Sequence, residues 1–368
     1  MKTFLVIIAT ACCSFVCAQD SAYVIKGNVG TGVNGKLVFA YFKNSMYNYD
    51  TAVVTKGQFT FKGFTTEPLQ GTMFWVKKQY PGNVQFYVEP GGTTILNGSA
   101  DSLKNITITG ASINKDMVAL KALFENEDKA YEANAKGYDL PENKTNKAAL
   151  DSLDEVEKQI QRNKRALLVS FIKQHPQSLL AAYSVIENYS YDVEPAEIRN
   201  VYNLFHSNIK KAAIGKKINN IATIFEKYSV GKKLDKINQP DTSGQMISLA
   251  SLKGKYVLVD FWASWCAPCR AENPNIKKAY DMYHSKGLEI YAVSYDDAKG
   301  KKKWINAINK DGLPWIQVSE LKGWSNETSE NFYIKSIPAN FLLDKDGTIV
   351  AKNIFGDKLL AKLAVLLP

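Results

Sequence analysis

From residue 22 to about 111, apolar and polar residues alternate in short runs broken by Gly, Asn and Pro. That period of two predicts strands over 23–25, 36–42, 58–61, 73–76, 84–88, 93–96 and 106–109. Strands this short and closely spaced predict a small all-β sandwich or barrel. From about Ile113 to Ser229 the period lengthens to three or four, as at Leu150, Leu153, Val156 and Ile160, which predicts helices. Pro141, Pro176 and Pro195 divide this stretch into several helices, and Ser152 followed by Glu155 resembles a capping box. The aromatics Tyr183, Tyr189, Tyr191, Tyr202 and Phe205 read as core, because aromatic residues at helical spacing are the common signature of burial.

From Gly231 onward strand and helix alternate. Strands are predicted over 255–262, 288–295, 315–318, 340–343 and 348–352, and helices over 267–286, 301–309, 325–333 and 358–366, with an Asp346-Gly347 turn between the last two strands. This is an α/β layer around a buried sheet. Its elements complete one core, so a module starting near Gly231 is expected to fold alone.

Length and composition fit this division, since 368 residues with 45% hydrophobic and 22% charged side chains suit two or three ordinary globular domains. Residues 1–18 have the plan of a secretory signal: one early lysine, an apolar stretch from Phe4 to Ala11, and small residues around a cleavage point after Ala18. The expected location is therefore the periplasm or cell envelope. Cys12, Cys13 and Cys17 raise the rival of a lipid anchor, against which Ser14-Phe15-Val16 is a poor match to the residues that usually precede a lipidated cysteine. The net charge of +10 is spread over local lysine clusters such as Lys210-Lys211 and Lys301-Lys302-Lys303. They are not gathered with aromatics into a groove, so no nucleic-acid partner is expected.

The five cysteines change the picture most, because only Cys266 and Cys269 lie outside the leader. They sit at the end of an apolar strand and the start of a helix, which puts the first sulfur over backbone N–H groups and the positive end of a helix dipole. Such a setting lowers a thiol pKa and makes it nucleophilic. The second sulfur, one turn on, can close a disulfide with the first, and thiol–disulfide exchange needs only that pair. A structural zinc site would need about four ligands. The three histidines, His175, His206 and His284, are not spaced near the dithiol, so no metal and no cofactor beyond the redox-active disulfide Cys266–Cys269 is expected.

The run Val259-Asp260-Phe261-Trp262-Ala263-Ser264-Trp265-Cys266-Ala267-Pro268-Cys269-Arg270-Ala271-Glu272-Asn273-Pro274, with Ser336-Ile337-Pro338-Ala339-Asn340 downstream, resembles the thioredoxin-fold branch of exported thiol–disulfide oxidoreductases typified by TlpA and ResA. The likeness covers 231–368. The front region, with Gly57 to Gly63 and Glu89-Pro90-Gly91, is similar to the DUF4369-like β-domain that precedes such modules in exported Bacteroidetes proteins. The expected organisation is thus a signal over 1–18, a β-domain over 19–111, a helical linker over 112–230 and a thioredoxin-like domain over 231–368.

Carried over residue by residue, the resemblance implies that Cys266 attacks and Cys269 resolves. Pro338 matches the family's cis-proline, with the Ile337 backbone offering hydrogen bonds to an extended substrate, and Trp265, Ala267 and Pro268 are expected to touch that substrate. Asp260 matches the buried acid of thioredoxin, and Glu272 the glutamate of the ResA-like branch. Either can take the Cys269 proton, since a carboxyl in apolar surroundings exchanges protons near neutrality. Ala267-Pro268 adds no cation to stabilise a thiolate, so the disulfide is the stable form and the dithiol a reductant. The implied partners are disulfide-containing client proteins, as in cytochrome c maturation, and a membrane thiol transporter of the DsbD or CcdA type that supplies electrons.

Two relatives of this fold fit less well. A peroxiredoxin motif fails at Val259 and Ala263, and copper-delivering Sco-type proteins need Cys-x-x-x-Cys and a distal histidine, whereas no histidine follows His284. An assembly or binding protein whose redox module is secondary is the remaining alternative.

Overall fold

The computed structural model describes residues 21–43, 46–76, 80–143, 146–189, 193–234 and 237–368. The leader read over 1–18, its three cysteines and Tyr191 lie outside them. The chain divides into two compact units, Met1–Thr145 and Asn146–Pro368.

In the first unit, two four-stranded sheets share one core. One has the order β4 (Gln58–Thr65), β1 (Ser21–Asn28), β7 (Thr93–Asn97), β8 (Thr107–Gly110). The other runs β3 (Met46–Val54), β2 (Gly35–Lys43), β5 (Leu69–Trp75), β6 (Asn83–Val88). Alternate residues of both sheets, including Tyr23, Ile25, Phe39, Phe61, Met73 and Phe86, are buried together, and the Phe39 and Phe86 rings stack at 5.1 Å. β3 is absent from the sequence reading. Its aromatics Tyr47 and Tyr49 alternate with Asn48 and Asp50 but point to solvent, and only Ala52 and Val54 are buried. The strand therefore lacks the apolar inner face that marks the others.

Helix α1 (Ser112–Asp139) belongs to this unit. Buried Asn114 accepts from the Tyr87 N–H and donates to the Tyr87 carbonyl, both at 2.8 Å, which ties the helix start to β6. The helical stretch read over 112–230 is thus shared between the units.

The second unit opens with α2 (Lys147–Gln174), α3 (Leu179–Asn188), α4 (Pro195–Leu204), α5 (Ser207–Lys211) and α6 (Ala213–Lys227). α2 starts at Asn146, whose side chain accepts from the Ala149 N–H. Ser152 lies inside the helix, so the capping box read there marks no boundary; Asn146 is an equally good cap six residues earlier. Pro195 opens α4, where its missing N–H costs nothing.

Beyond α6 come a short hairpin of β9 (Asn238–Pro240) and β10 (Met246–Ser248), and a five-stranded sheet in the order β13 (Ile316–Val318), β12 (Leu288–Ser294), β11 (Tyr256–Trp262), β14 (Ala339–Leu343), β15 (Ile349–Lys352). β11, β12 and β13 are parallel; β14 runs against β11, and β15 runs against β14. With α7 (Ala267–Tyr283), α8 (Lys301–Asp311), α9 (Glu327–Asn331) and α10 (Gly356–Leu366), this is the thioredoxin-like fold.

That module does not begin cleanly at Gly231. Tyr228 is 3% exposed and meets the Phe332 ring at 4.8 Å, and Phe225 of α6 meets Tyr333 at 5.8 Å. The last helical turn before Gly231 is part of the same core. No helix among the described residues is long and apolar enough to cross a membrane.

Candidate functional site

β11 is buried along nearly its whole length, as its run Val257 to Trp262 requires, and it delivers the chain to the carboxyl end of the sheet. There Cys266 turns back with its N–H on the Ala263 carbonyl (3.1 Å) and becomes the N-cap of α7. Its Sγ accepts from the Cys269 N–H at 3.2 Å, filling the role that an oxygen plays at an ordinary helix start. Pro268 in the first turn gives up an N–H that has no helical partner in any case. Cys266 and Cys269 are joined by a disulfide, with their Cα atoms 5.3 Å apart.

Both sulfurs are shielded: Cys266 is 5% exposed and Cys269 2%. The neighbours do the shielding: Trp265, Ala267 and Pro268 stand out into solvent, while half-buried Ile337 leans over the sulfur with its carbonyl oxygen 3.8 Å from Sγ. The Ile337–Pro338 peptide is cis.

Asp260 lies in the middle of β11, between Ala292 of β12 and Asn340 of β14, and is 4% exposed. Desolvation, and next the charge of Glu272, push its carboxyl up to about 7. Glu272, one turn beyond Cys269 on α7, is tied elsewhere: Oε1 accepts from the Gly356 N–H at the start of α10 (2.6 Å) and Oε2 from the Asn275 side chain (2.7 Å). Its charge reaches Asp260 while its oxygens are occupied.

Several residues at this site escaped the sequence reading. Asp296, 1% exposed just past β12, accepts from the Ser264 N–H (2.9 Å), the Ser264 hydroxyl (2.6 Å) and the Ser294 hydroxyl (2.7 Å). Because Trp262 pairs with Ser294 in parallel register, the two strands end level and Asp296 meets the loop that leads to Cys266. From the other end, Arg270 forks onto Asp311 of α8 and donates to the Ser264 carbonyl at 3.3 Å, and Asn273 donates to the same carboxylate. Trp324 is the third, in ring contact with Trp265 at 6.2 Å. The signal for Asp296 was its place just past the carboxyl end of a parallel strand, where open α/β sheets gather their sites. Arg270 and Trp324 carried no such mark.

Among the described residues, no three His, Cys, Asp or Glu side chains cluster as a metal site would need. Of the concave sites in this unit, one is floored by Leu234, Leu249, Val257 and Leu343 and another by Ile247, Ile308, Trp315 and Gln317; the disulfide lines neither of these two.

Residues 230–352 match the AhpC/TSA family, and residues 23–117 match the domain of unknown function DUF4369. The chain is 35% identical over 133 residues to the thiol-disulfide oxidoreductase ResA of Bacillus thuringiensis, which covers 36% of this chain and 73% of that relative. To ResA of Bacillus subtilis it is 31% identical over 125 residues, 34% of this chain and 67% of the relative. The crystal structure of the thioredoxin domain of a Bacteroides vulgatus thiol-disulfide oxidoreductase is 36% identical, with a TM-score of 0.36, covering 38% of this chain and 99% of that one. With a disulfide capping α7 and identity of this level over nearly three quarters of a relative, the chain is a thiol-disulfide oxidoreductase and belongs to the ResA family.

Proposed function

We propose that the chain works outside the cytoplasm as a reductase of disulfides in periplasmic or envelope client proteins, through a dithiol formed by Cys266 and Cys269. The observation that carries this reading is the Cys266 sulfur at the N-cap of α7, accepting a backbone N–H, with only the uncharged Ala267-Pro268 between the cysteines. The helix end favours a thiolate at Cys266. Without a nearby cation in the intervening pair, that preference stays modest and the disulfide remains the stable form, which makes the reduced protein a donor of electrons.

The steps balance as two exchanges. The Cys266 thiolate attacks one sulfur of the client disulfide; the client's S–S bond breaks, a mixed disulfide forms, and the departing client sulfur takes a proton from solvent. Asp260 then takes the proton of the Cys269 thiol, directly or through a water. The Cys269 thiolate attacks Sγ of Cys266, closing the internal disulfide and releasing the second client thiolate. Two electrons pass from the protein to the client. A membrane thiol transporter of the DsbD or CcdA type is the class of donor that would return them. Trp265, Ala267, Pro268, Ile337 and Pro338 surround the attacked sulfur and are assigned the client contact. Glu272 acts on the proton transfer through its charge at Asp260.

A glutathione redox titration tests the direction. The expected midpoint lies nearer about −270 mV than about −120 mV, the values of a reducing and an oxidising member of the fold. A potential at the oxidising end would reverse the reading. In the reduced protein iodoacetamide is expected to label Cys266 before Cys269, and Cys269→Ser is expected to accumulate mixed disulfides with the clients, which mass spectrometry then names.

A further inference from the structure

Trp265 and Trp324 are 54% and 44% exposed, beside a disulfide that is otherwise shielded. Two tryptophans left in water forgo burial that the fold would reward, since each ring can hide roughly 150–250 Å² of apolar surface. Both are held in place rather than loosely hung. Trp324 rests on the ring of Tyr295 at 5.1 Å, and Tyr295 is 1% exposed with its hydroxyl paired to the Thr328 hydroxyl. One residue fixes both segments: the Asp296 carboxylate holds Ser264, next to Trp265, and the Asp296 carbonyl accepts from the N–H of Gly323, next to Trp324.

Resting on the reductase reading above, we infer that Trp265 and Trp324 form a preorganised ledge that selects clients by a pair of apolar side chains, two residues apart, beside the cysteine under attack. The occupant is an extended client segment. In such a segment side chains at i and i+2 share a face and lie about 6–7 Å apart, which matches the 6.2 Å between the two ring centroids. A client that seats its cysteine on Cys266 and lays one apolar side chain on Trp265, the neighbour of Cys266, sets the next side chain of the same face over Trp324. Trp324 is the specificity-determining member, because it takes no part in the exchange itself.

The test uses the full chain, reduced by dithiothreitol, with two synthetic peptides carried as mixed disulfides with glutathione: one has Phe two and four residues to either side of its single cysteine, the other has Ser at those positions. The wild-type protein is expected to prefer the Phe peptide by about tenfold or more in kcat/KM, mainly through KM. Trp324→Ala is expected to reduce that ratio to within about twofold, and Trp324→Phe to keep most of it. Equal use of the two peptides by the wild type, or a preference that survives Trp324→Ala, overturns the inference. The wild-type ratio and Trp324→Phe decide the matter even where Trp324→Ala does not fold. A wild-type protein that reduces neither peptide nor glutathione disulfide would instead sink the reductase reading and this inference with it.

Discussion

Asp260 ties the stability of the fold to pH through one buried group. Its carboxyl is raised from the ordinary 3.8 to about 7, by burial first and by Glu272 second. Between about pH 4 and 7 the folded protein keeps a proton that the unfolded chain has released. Stability from this residue is therefore complete below about pH 4, falls as pH rises to about 7, and is flat beyond. At about 1.4 kcal/mol per pH unit the loss reaches at most about 4 kcal/mol. Asp260→Asn is expected to raise Tm clearly at pH 8 and little at pH 4, while slowing resolution of the mixed disulfide by about 10²-fold. Thermal unfolding at both pH values and stopped-flow reduction check the pair of effects, and a gain that is equal at both would refute the assignment. Glu272→Gln removes the charge that helps raise Asp260, so the rise in rate with pH should move to lower pH; an unmoved profile would leave Glu272 with only its bond to α10. Asp260 was legible in the sequence because an acid inside an apolar strand is conspicuous. Asp296 was not, since the serine it holds lies 32 residues away and only the level ends of two parallel strands bring them together.

At the scale of elements, the junction of β11 and α7 is fixed from two sides, by Asp296 at Ser264 and by the Arg270 fork on α8. Arg270 is the outer brace, joining the α7 start to Asp311 and to the Ser264 carbonyl. Asp311→Asn takes the charge from that pair and leaves a partly buried guanidinium poorly matched, at a cost of about 1–3 kcal/mol. The expected result is a lower Tm together with a several-fold slower attack by Cys266 on glutathione disulfide; a lower Tm with an unchanged rate would make the brace structural only. Hydrophobic period served well where an element buries one face: β11 and β12 were found within a residue of their ends, and α7 within three. It failed for β3, which turns aromatics outward, and for the three-residue strands β9 and β10, too short for any period. The capping-box pattern at Ser152 is no helix start, because two sequences there can cap a helix and only tertiary structure selects Asn146.

For the molecule as a whole, the sequence marks a change of period near residue 230, and the family match begins there too. Packing places the boundary elsewhere, because the helices from Asn146 and the thioredoxin-like fold form one compact unit. The change of period records where secondary structure alternates, whereas a domain edge is set by which side chains share a core. Ile224, Phe225 and Tyr228 precede Gly231 yet pack against the module, Phe225 and Tyr228 through the rings of Tyr333 and Phe332. Cutting at Gly231 strips these contacts from rings that are now buried, and deletion of one large buried side chain alone costs about 3–5 kcal/mol. A chain starting at Asn146 is therefore expected to unfold at nearly the temperature of that unit in the full protein, and one starting at Gly231 well below it, with Tyr333 and Phe332 newly exposed to an apolar dye. Both should keep the dithiol chemistry at temperatures where they are folded, since every residue assigned to it lies beyond Gly231. Calorimetry of the two shortened chains beside the full protein decides this: equal transition temperatures would return the boundary to Gly231 and reduce α6 to a passenger.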